Sequence, residues 1–217
     1  MIKFFNTQWD AVPVCCVDTE TTGIRVGKDK AVSVALVRFE KGAVVDSFAS
    51  FVNPGFQIPA EATEIHKITD AAVAGAPMIH ELFADSRVIA LLEGAQPAAY
   101  NGPFDKHFVP PFGEDWTWPW LDALSLVRKV DRFAKGQGRH KLAATCERHG
   151  IALPNAHDAE SDARAAGELL FKLGRETFPA KYTLGQALGW QRRAEAEEWF
   201  RFNEWVSRQP PREAGTT

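Results

Sequence analysis

The pattern of apolar and polar positions separates an opening run of strands from a longer, mainly helical remainder. PVCCVDTETTG reads as a buried strand ending in a polar turn, because a short Val- and Cys-rich run stops at Asp, Glu, Thr and Gly. AVSVALVRFE alternates, and VVDSFASFVNP is β-branched and aromatic up to an Asn-Pro stop. Lys41-Gly42 between them suits a hairpin, so three antiparallel strands are expected first. From Pro59 to Gly94 the period lengthens: ATEIHKITDAAVAG predicts a short helix and PMIHELFADSRVIALLEG a longer one. PAAYNG predicts a buried strand, FDKHFVPPFG a helix start broken at Pro110-Pro111, and WTWPWLDALSLVRKV a strand leading into a helix. Trp116, Trp118 and Trp120 alternate there, which puts all three on one strand face for packing rather than base stacking. RFAKGQGRHK is a Gly-rich basic loop, LAATCERHGI a helix closed by Gly150, and HDAESDARAAGELLFKLGRET the clearest helix of the later chain. Strands interleaved with helices predict a mixed α/β sheet.

Beyond Phe178 the text becomes a charged, aromatic, amphipathic helix, QRRAEAEEWFRFNEWVSRQ, ending in the polar PPREAGTT. The expected organisation is a domain over residues 1–178 and a helical tail over 179–217. Trp199, Phe200, Phe202, Trp205 and Val206 form an apolar stripe that either packs on the domain or docks a partner.

The 217 residues are 45% hydrophobic, enough for one full core and too apolar for a disordered or fibrous chain. A net charge of -3 provides no global positive field, so any grip on nucleic acid must be local. Arg128, Lys129, Arg132, Lys135, Arg139 and Lys141, around the Gly-rich loop, are local candidates for phosphate contact or for a solvated face. Cys15, Cys16 and Cys146 sit in apolar or helical patterns, as reduced core thiols do. The start MIKFFNTQWD lacks the features of a signal peptide, and no run approaches the ~18 apolar residues that span a bilayer. A cytoplasmic protein without a membrane partner is expected.

Against that background the acidic residues acquire meaning from their placement. Asp18 and Glu20 stand two apart on a strand, so both side chains leave one face and can converge on a cation. A surface turn capped by Thr residues is the plainer alternative. Asp105 opens a helical segment after a strand, as ligand, helix cap or both. Asp162 lies on the later helix with His157 five residues earlier, at or just before the helix start. Carboxylates gathered from separate elements suit two hard divalent cations, and imidazole can take a proton from water near neutral pH. That is the equipment of phosphodiester hydrolysis.

VDTETTG, IHKITD, YNGPFDKHFV and HDAESDARAAGELL occur in that order, and with them the chain resembles the DEDDh, or DnaQ-like, 3′-5′ exonuclease family from about Val14 to Leu173. Within that family it is most similar to the epsilon proofreading subunits of bacterial replicative DNA polymerase. The resemblance implies a ribonuclease H-like fold, a five-stranded mixed sheet flanked by helices, here with a C-terminal helical extension. It implies two Mg²⁺ or Mn²⁺ ions on Asp18, Glu20, Asp105 and Asp162, with His157 activating the water; the His-x-x-x-x-Asp spacing selects the histidine branch. Substrate contacts carried over are Thr19, Thr21, Thr22, Gly23, His66, Asn101 and Phe104, with Phe108 packing behind. Tyr100 departs from the pattern, which commonly has His before the Asn.

The implied activity is removal of nucleoside 5′-monophosphates from the 3′ end of single-stranded or frayed DNA, in proofreading or repair, with a DNA polymerase as partner of the tail. The same carboxylates would serve a 3′ exoribonuclease, because nothing in the sequence reads the 2′-hydroxyl. A non-catalytic interaction module on the same scaffold is the alternative from another class. His80, His107, His140 and His149 lie outside the functional set.

Overall fold

β1 (Val14–Thr21) runs through the middle of the sheet, and its alternation decides what each face becomes. The computed structural model describes residues 4–112 and 119–208. β2 (Ala31–Glu40) pairs antiparallel with β1, and β3 (Ala43–Phe51) antiparallel with β2, so the three expected opening strands form. The hairpin turn is Lys41-Gly42, both at positive φ. β4 (Gln96–Ala99) then lies parallel to β1, and β5 (Leu121–Asp122) parallel to β4, giving the order β3-β2-β1-β4-β5.

Eight of the nine α-helices of the described chain fall between or after these strands as α1 (Ala60–His66), α2 (Asp70–Val73), α3 (Ile79–Leu82), α4 (Ser86–Leu92), α5 (Gly102–Asp105), α6 (Ala123–Val130), α7 (Leu142–His149) and α8 (Ala159–Thr177); α9 (Leu184–Ser207) closes the chain. Val14 and Cys16 face a core built with α6 and α8, whereas Cys15 and Val17 face a second core with α4. The three cysteines are buried free thiols, as expected. α8 comes so close to the sheet that a Cβ on Gly167 would overlap the Phe39 ring. Among the described residues no helix is long and apolar enough to cross a membrane.

Several elements differ from the sequence reading. The first predicted helix splits because Lys67 adopts a left-handed conformation, φ 61°, after which Thr69 caps α2. The second splits where Asp85 caps α4, accepting the Arg87 N–H at 2.7 Å. Asp105 ends its helix rather than opening it. β5 is two residues long, and of the alternating tryptophans Trp116 and Trp118 lie outside the described residues, while Trp120 is buried in the α4 core.

The aromatic tail helix divides in two. Leu184, Ala187, Leu188, Gln191 and Ala194 are buried, the first three inside the α8 core, whereas Trp199, Phe200, Phe202, Trp205 and Val206 are exposed. Gln191 accepts the Asp122 N–H at 2.9 Å and donates to the Trp120 carbonyl at 3.1 Å, closing the β5 edge. The first three turns of α9 are therefore part of the domain's core.

Candidate active site

Strand alternation delivers the first two carboxylates. Asp18 and Glu20 continue the even positions Val14 and Cys16, which face α8, and α8 carries Asp162 one turn from its start. Asp158 caps α8, accepting the Ser161 N–H at 3.1 Å, so the chain enters the helix at a fixed angle. His157 precedes it at φ 68°, left-handed backbone that a non-glycine residue adopts at a cost, and its N–H donates to Asp162 Oδ2 at 3.2 Å. Ligand atoms of Glu20, His157 and Asp162 all lie within 4.8 Å of one another.

Asp105 arrives from the other side of β1. Its Oδ1 accepts both the Thr19 N–H at 3.0 Å and the Thr19 hydroxyl at 2.8 Å, so it is fastened to β1 and is not a helix cap. Four carboxylates from β1, α5 and α8 thus share one corner at the end of the central strand.

Their electrostatics are unfavourable in isolation. Burial first, then the charges of Asp105, Asp162 and Glu20, hold the Asp18 carboxyl well above its ordinary range. Burial, with Asp162 and Asp105 next, pushes Glu20 up to about 7. Burial pushes Asp105 up to about 7 although its bonds from Thr19 oppose the rise. Burial also raises Asp162, opposed by the His157 N–H and imidazole. Asp162 Oδ1 is buried without a hydrogen-bond partner. Among the described residues no lysine or arginine forms an ion pair with any of the four. An orphaned carboxylate oxygen among repelling carboxylates, with an imidazole beside it, fits a divalent cation.

A cleft of about 540 Å³ opens beside this corner, lined by Thr19, Glu20, Thr21, Thr22, Gly23, His66 and Phe104 of the expected set. The threonine hydroxyls are already engaged: Thr19 with Asp105, Thr21 with the Gly23 carbonyl at 2.7 Å, and Thr22 with Asp29 at 3.3 Å. A Cβ on Gly23 would sit 2.7 Å from Asp29 Oδ2, so any larger residue would displace the Asp29 carboxylate that holds the turn. His66 is buried; its Nδ1 accepts the Ile68 N–H at 3.0 Å, which leaves the ring proton on Nε2. Burial lowers its pKa. Asn101 does not line the cleft; it holds φ 77° beside it, with its N–H on Asp122 Oδ1 at 2.9 Å. Phe108 packs at 4.8 Å, centroid to centroid, behind Phe104. Ile24, Arg25 and Ile65 also line the cleft and were absent from the sequence reading; Ile24 is 80% exposed.

The family model described as Exonuclease matches residues 15–170, the segment that carries the four motifs. A Rhodobacter capsulatus protein described as a DNA polymerase III subunit epsilon-like protein is 38% identical over 194 residues, 82% of this chain and 27% of that protein. A PolC-type DNA polymerase III of Streptococcus thermophilus is 31% identical over 170 residues, 74% of this chain and 11% of that protein. The chain therefore spans about a quarter and about a tenth of the lengths of these relatives. Among solved structures, exonuclease X in complex with 5′-overhanging duplex DNA superposes with a TM-score of 0.64 at 24% identity, covering 80% of this chain and 99% of the other. The nuclease domain of 3′hExo, a DEDDh family member bound to rAMP, gives 0.62 at 14% identity, covering 79% and 95%. These likenesses establish the five-stranded mixed fold of such nucleases for this chain.

Proposed function

The chain belongs to the exonuclease family, and from that premise we propose that it is a metal-dependent 3′-5′ exonuclease. It removes nucleoside 5′-monophosphates from the 3′ end of single-stranded or frayed DNA. The observation that carries the proposal is the corner itself: four carboxylates raised by burial and mutual repulsion, one with an orphaned buried oxygen, beside an imidazole. Such a cluster is poor structural material and good metal-binding material.

Asp18, Glu20 and Asp162 would hold two divalent cations most directly, Mg²⁺ or Mn²⁺, with Asp105 completing the second position. When bound, these ions supply Lewis-acid stabilisation of the charge on the attacking and leaving oxygens. His157 accepts the proton of the attacking water; its left-handed backbone, tied to Asp162, keeps the ring at the corner while leaving it exposed to solvent. Thr19 fixes the Asp105 carboxylate, and Phe104 and His66, which line the cleft, receive the terminal nucleoside. The exposed aromatic half of α9 docks a DNA polymerase, the role in keeping with the epsilon-like relative.

The test uses 5′-labelled single-stranded DNA and matched RNA with Mg²⁺ or Mn²⁺, comparing wild type with Asp18→Ala and His157→Ala. Metal-dependent shortening from the 3′ end of DNA, abolished or strongly reduced by both substitutions, is expected. Intact DNA and RNA under both metals overturn the enzyme reading; shortening of RNA alone overturns the DNA role. Polymerase docking is tested by a chain ending at Glu198, which keeps the buried turns of α9. Unchanged polymerase association after that truncation overturns the docking.

A further inference from the structure

The basic segment before α7 forms a second feature outside the cleft. A groove of about 500 Å³ runs between α6, the 131–141 segment and α9, and four arginines line it: Arg128, Arg132, Arg139 and Arg201. Its one acidic lining residue, Glu198, pairs with Arg128 at 3.3 Å. Among the described residues Arg132, Arg139 and Arg201 form no ion pair. The acid of the segment, Asp131, is spent on Arg148 and His149 at 2.6 and 3.1 Å and so does not cancel the arginines. Arg128 is paired with Glu198 and Arg201 helps to hold the Glu197 carboxyl low, so the groove's unpaired positive charge is chiefly that of Arg132 and Arg139, concentrated at one place in a chain of net charge -3.

The groove also presents an apolar face. Phe133 is 77% exposed, with the Arg132 guanidinium stacked 4.4 Å from its ring centroid. An arginine-backed aromatic ring beside further arginines matches a nucleotide strand, whose phosphates take the fork of the guanidinium and whose bases take the ring face. Continuity with the catalytic corner comes from Tyr100. Its hydroxyl donates to the His140 carbonyl at 2.5 Å and lies 3.0 Å from the Thr145 hydroxyl, while the next residue is Asn101 of the cleft-side turn. The residue at which the second motif departs from its family pattern is the one that fastens the arginine segment to the site.

We propose that this groove binds the sugar-phosphate backbone of the strand upstream of its 3′ end, a subsite for single-stranded nucleic acid separate from the terminal-nucleoside cleft. The assignment rests on the exonuclease reading for the identity of the strand, and its test is readable without turnover.

The double variant Arg132→Glu/Arg139→Glu and the single variant Phe133→Ala are compared with wild type by fluorescence anisotropy on a labelled strand of about 20 nucleotides, across a salt series. In parallel, hydrolysis of the p-nitrophenyl ester of thymidine 5′-monophosphate, which has no upstream backbone, is followed with Mn²⁺. The charge reversal is expected to weaken strand binding at least about tenfold at low salt and to reduce the slope of log Kd against log salt by about 1.4, two phosphate contacts on a single strand. Phe133→Ala weakens binding about fivefold or more through lost stacking. Ester hydrolysis stays at the wild-type rate in both. Unchanged strand affinity and salt slope in the double variant overturn the proposal, as does an equal fall in binding and ester hydrolysis. If wild type hydrolyses no ester and no strand, the exonuclease reading fails while the anisotropy result still decides the groove.

Discussion

Two acidic regions of this molecule have opposite electrostatics. At the corner of Asp18, Glu20, Asp105 and Asp162, carboxylates face one another and every one is raised. At Asp131 burial would raise the carboxyl as well, yet the bonds from Arg148 and His149 outweigh it and hold the group below its ordinary range. Asp29 resembles Asp131, held low chiefly by its bond from Arg25. Asp131 and Asp29 come with their cations, and the buried Asp122 with backbone N–H donors from Asn101 and Leu124, whereas the corner carboxylates come without cations and one keeps an unpartnered oxygen. A buried acidic cluster that the chain leaves uncompensated is suited to protons or cations from solution, and the contrast supports the proposed site more than the count of acidic residues does.

The sharpest way to break that contrast is one substitution made in both regions. Asp18→Asn is expected to lower 3′ shortening of DNA on the order of a thousandfold or more, because a ligand is lost. The same change removes a repelling charge, so in chelator at pH 8 the variant should melt a few degrees above wild type. A variant that melts lower would mean the carboxylate is structurally paired after all. His157→Ala follows in size: a fall in kcat of about 10² to 10⁴, the range for a lost general base. The Mn²⁺-induced rise in melting temperature should survive in that variant, and its disappearance would move His157 from proton acceptor to indispensable ligand.

Much of the corner was legible in the sequence because strand alternation is strict. Two residues after Cys16 comes Asp18 and two more Glu20, and the face they share is fixed by the apolar residues before them. His157 and Asp162 were legible as a spacing at a helix start. Ile24, Arg25 and Ile65 were not, since the cleft is made where the turn after β1 meets α1, and no local pattern records that meeting. Lys67 illustrates another limit: a lysine in left-handed backbone carries no sequence signal, so two helices read as one. In α9 the periodicity continues past Ala194 while burial against the domain stops there, so one amphipathic text yields a buried half and an exposed half.

Acidity provides the next test of the contrast. Glu20 and Asp105 have ordinary values of 4.5 and 3.8 and are pushed up to about 7 in the fold. Between those limits the folded chain binds more protons than the unfolded one, so stability falls as pH rises and then levels above about 7. Metal-free protein should therefore lose on the order of 5 °C in melting temperature between pH 4.5 and 7.5. Saturating Mn²⁺ at pH 7.5 should restore that loss, since it binds the ionised carboxylates of the folded state alone. A metal-free melting temperature that rises through this window would contradict the repulsion at the corner.

The smallest effect comes from the compensated region, and its sign matters more than its size. Asp131→Asn removes the carboxylate on which Arg148 converges through Nε at 3.0 Å and Nη2 at 2.6 Å. Both side chains are mostly covered, Asp131 being 13% and Arg148 33% exposed, so the pair is worth about 1 kcal/mol after solvent screening. Melting should fall by about 3 °C at pH 8, opposite to Asp18→Asn in the same buffer. Because the Asp131 carboxyl is held below its ordinary 3.8, its contribution is present above that value and is lost only as pH falls through the folded pKa. Wild type and Asp131→Asn should therefore differ across the neutral range and converge only in strong acid, whereas Asp18→Asn should diverge from wild type as pH rises. Hydrolysis of the thymidine ester should be unchanged, since Asp131 touches neither the carboxylates nor the cleft. Equal signs for the two Asn variants at pH 8 would erase the distinction between a carboxylate that holds the fold and one that waits for metal.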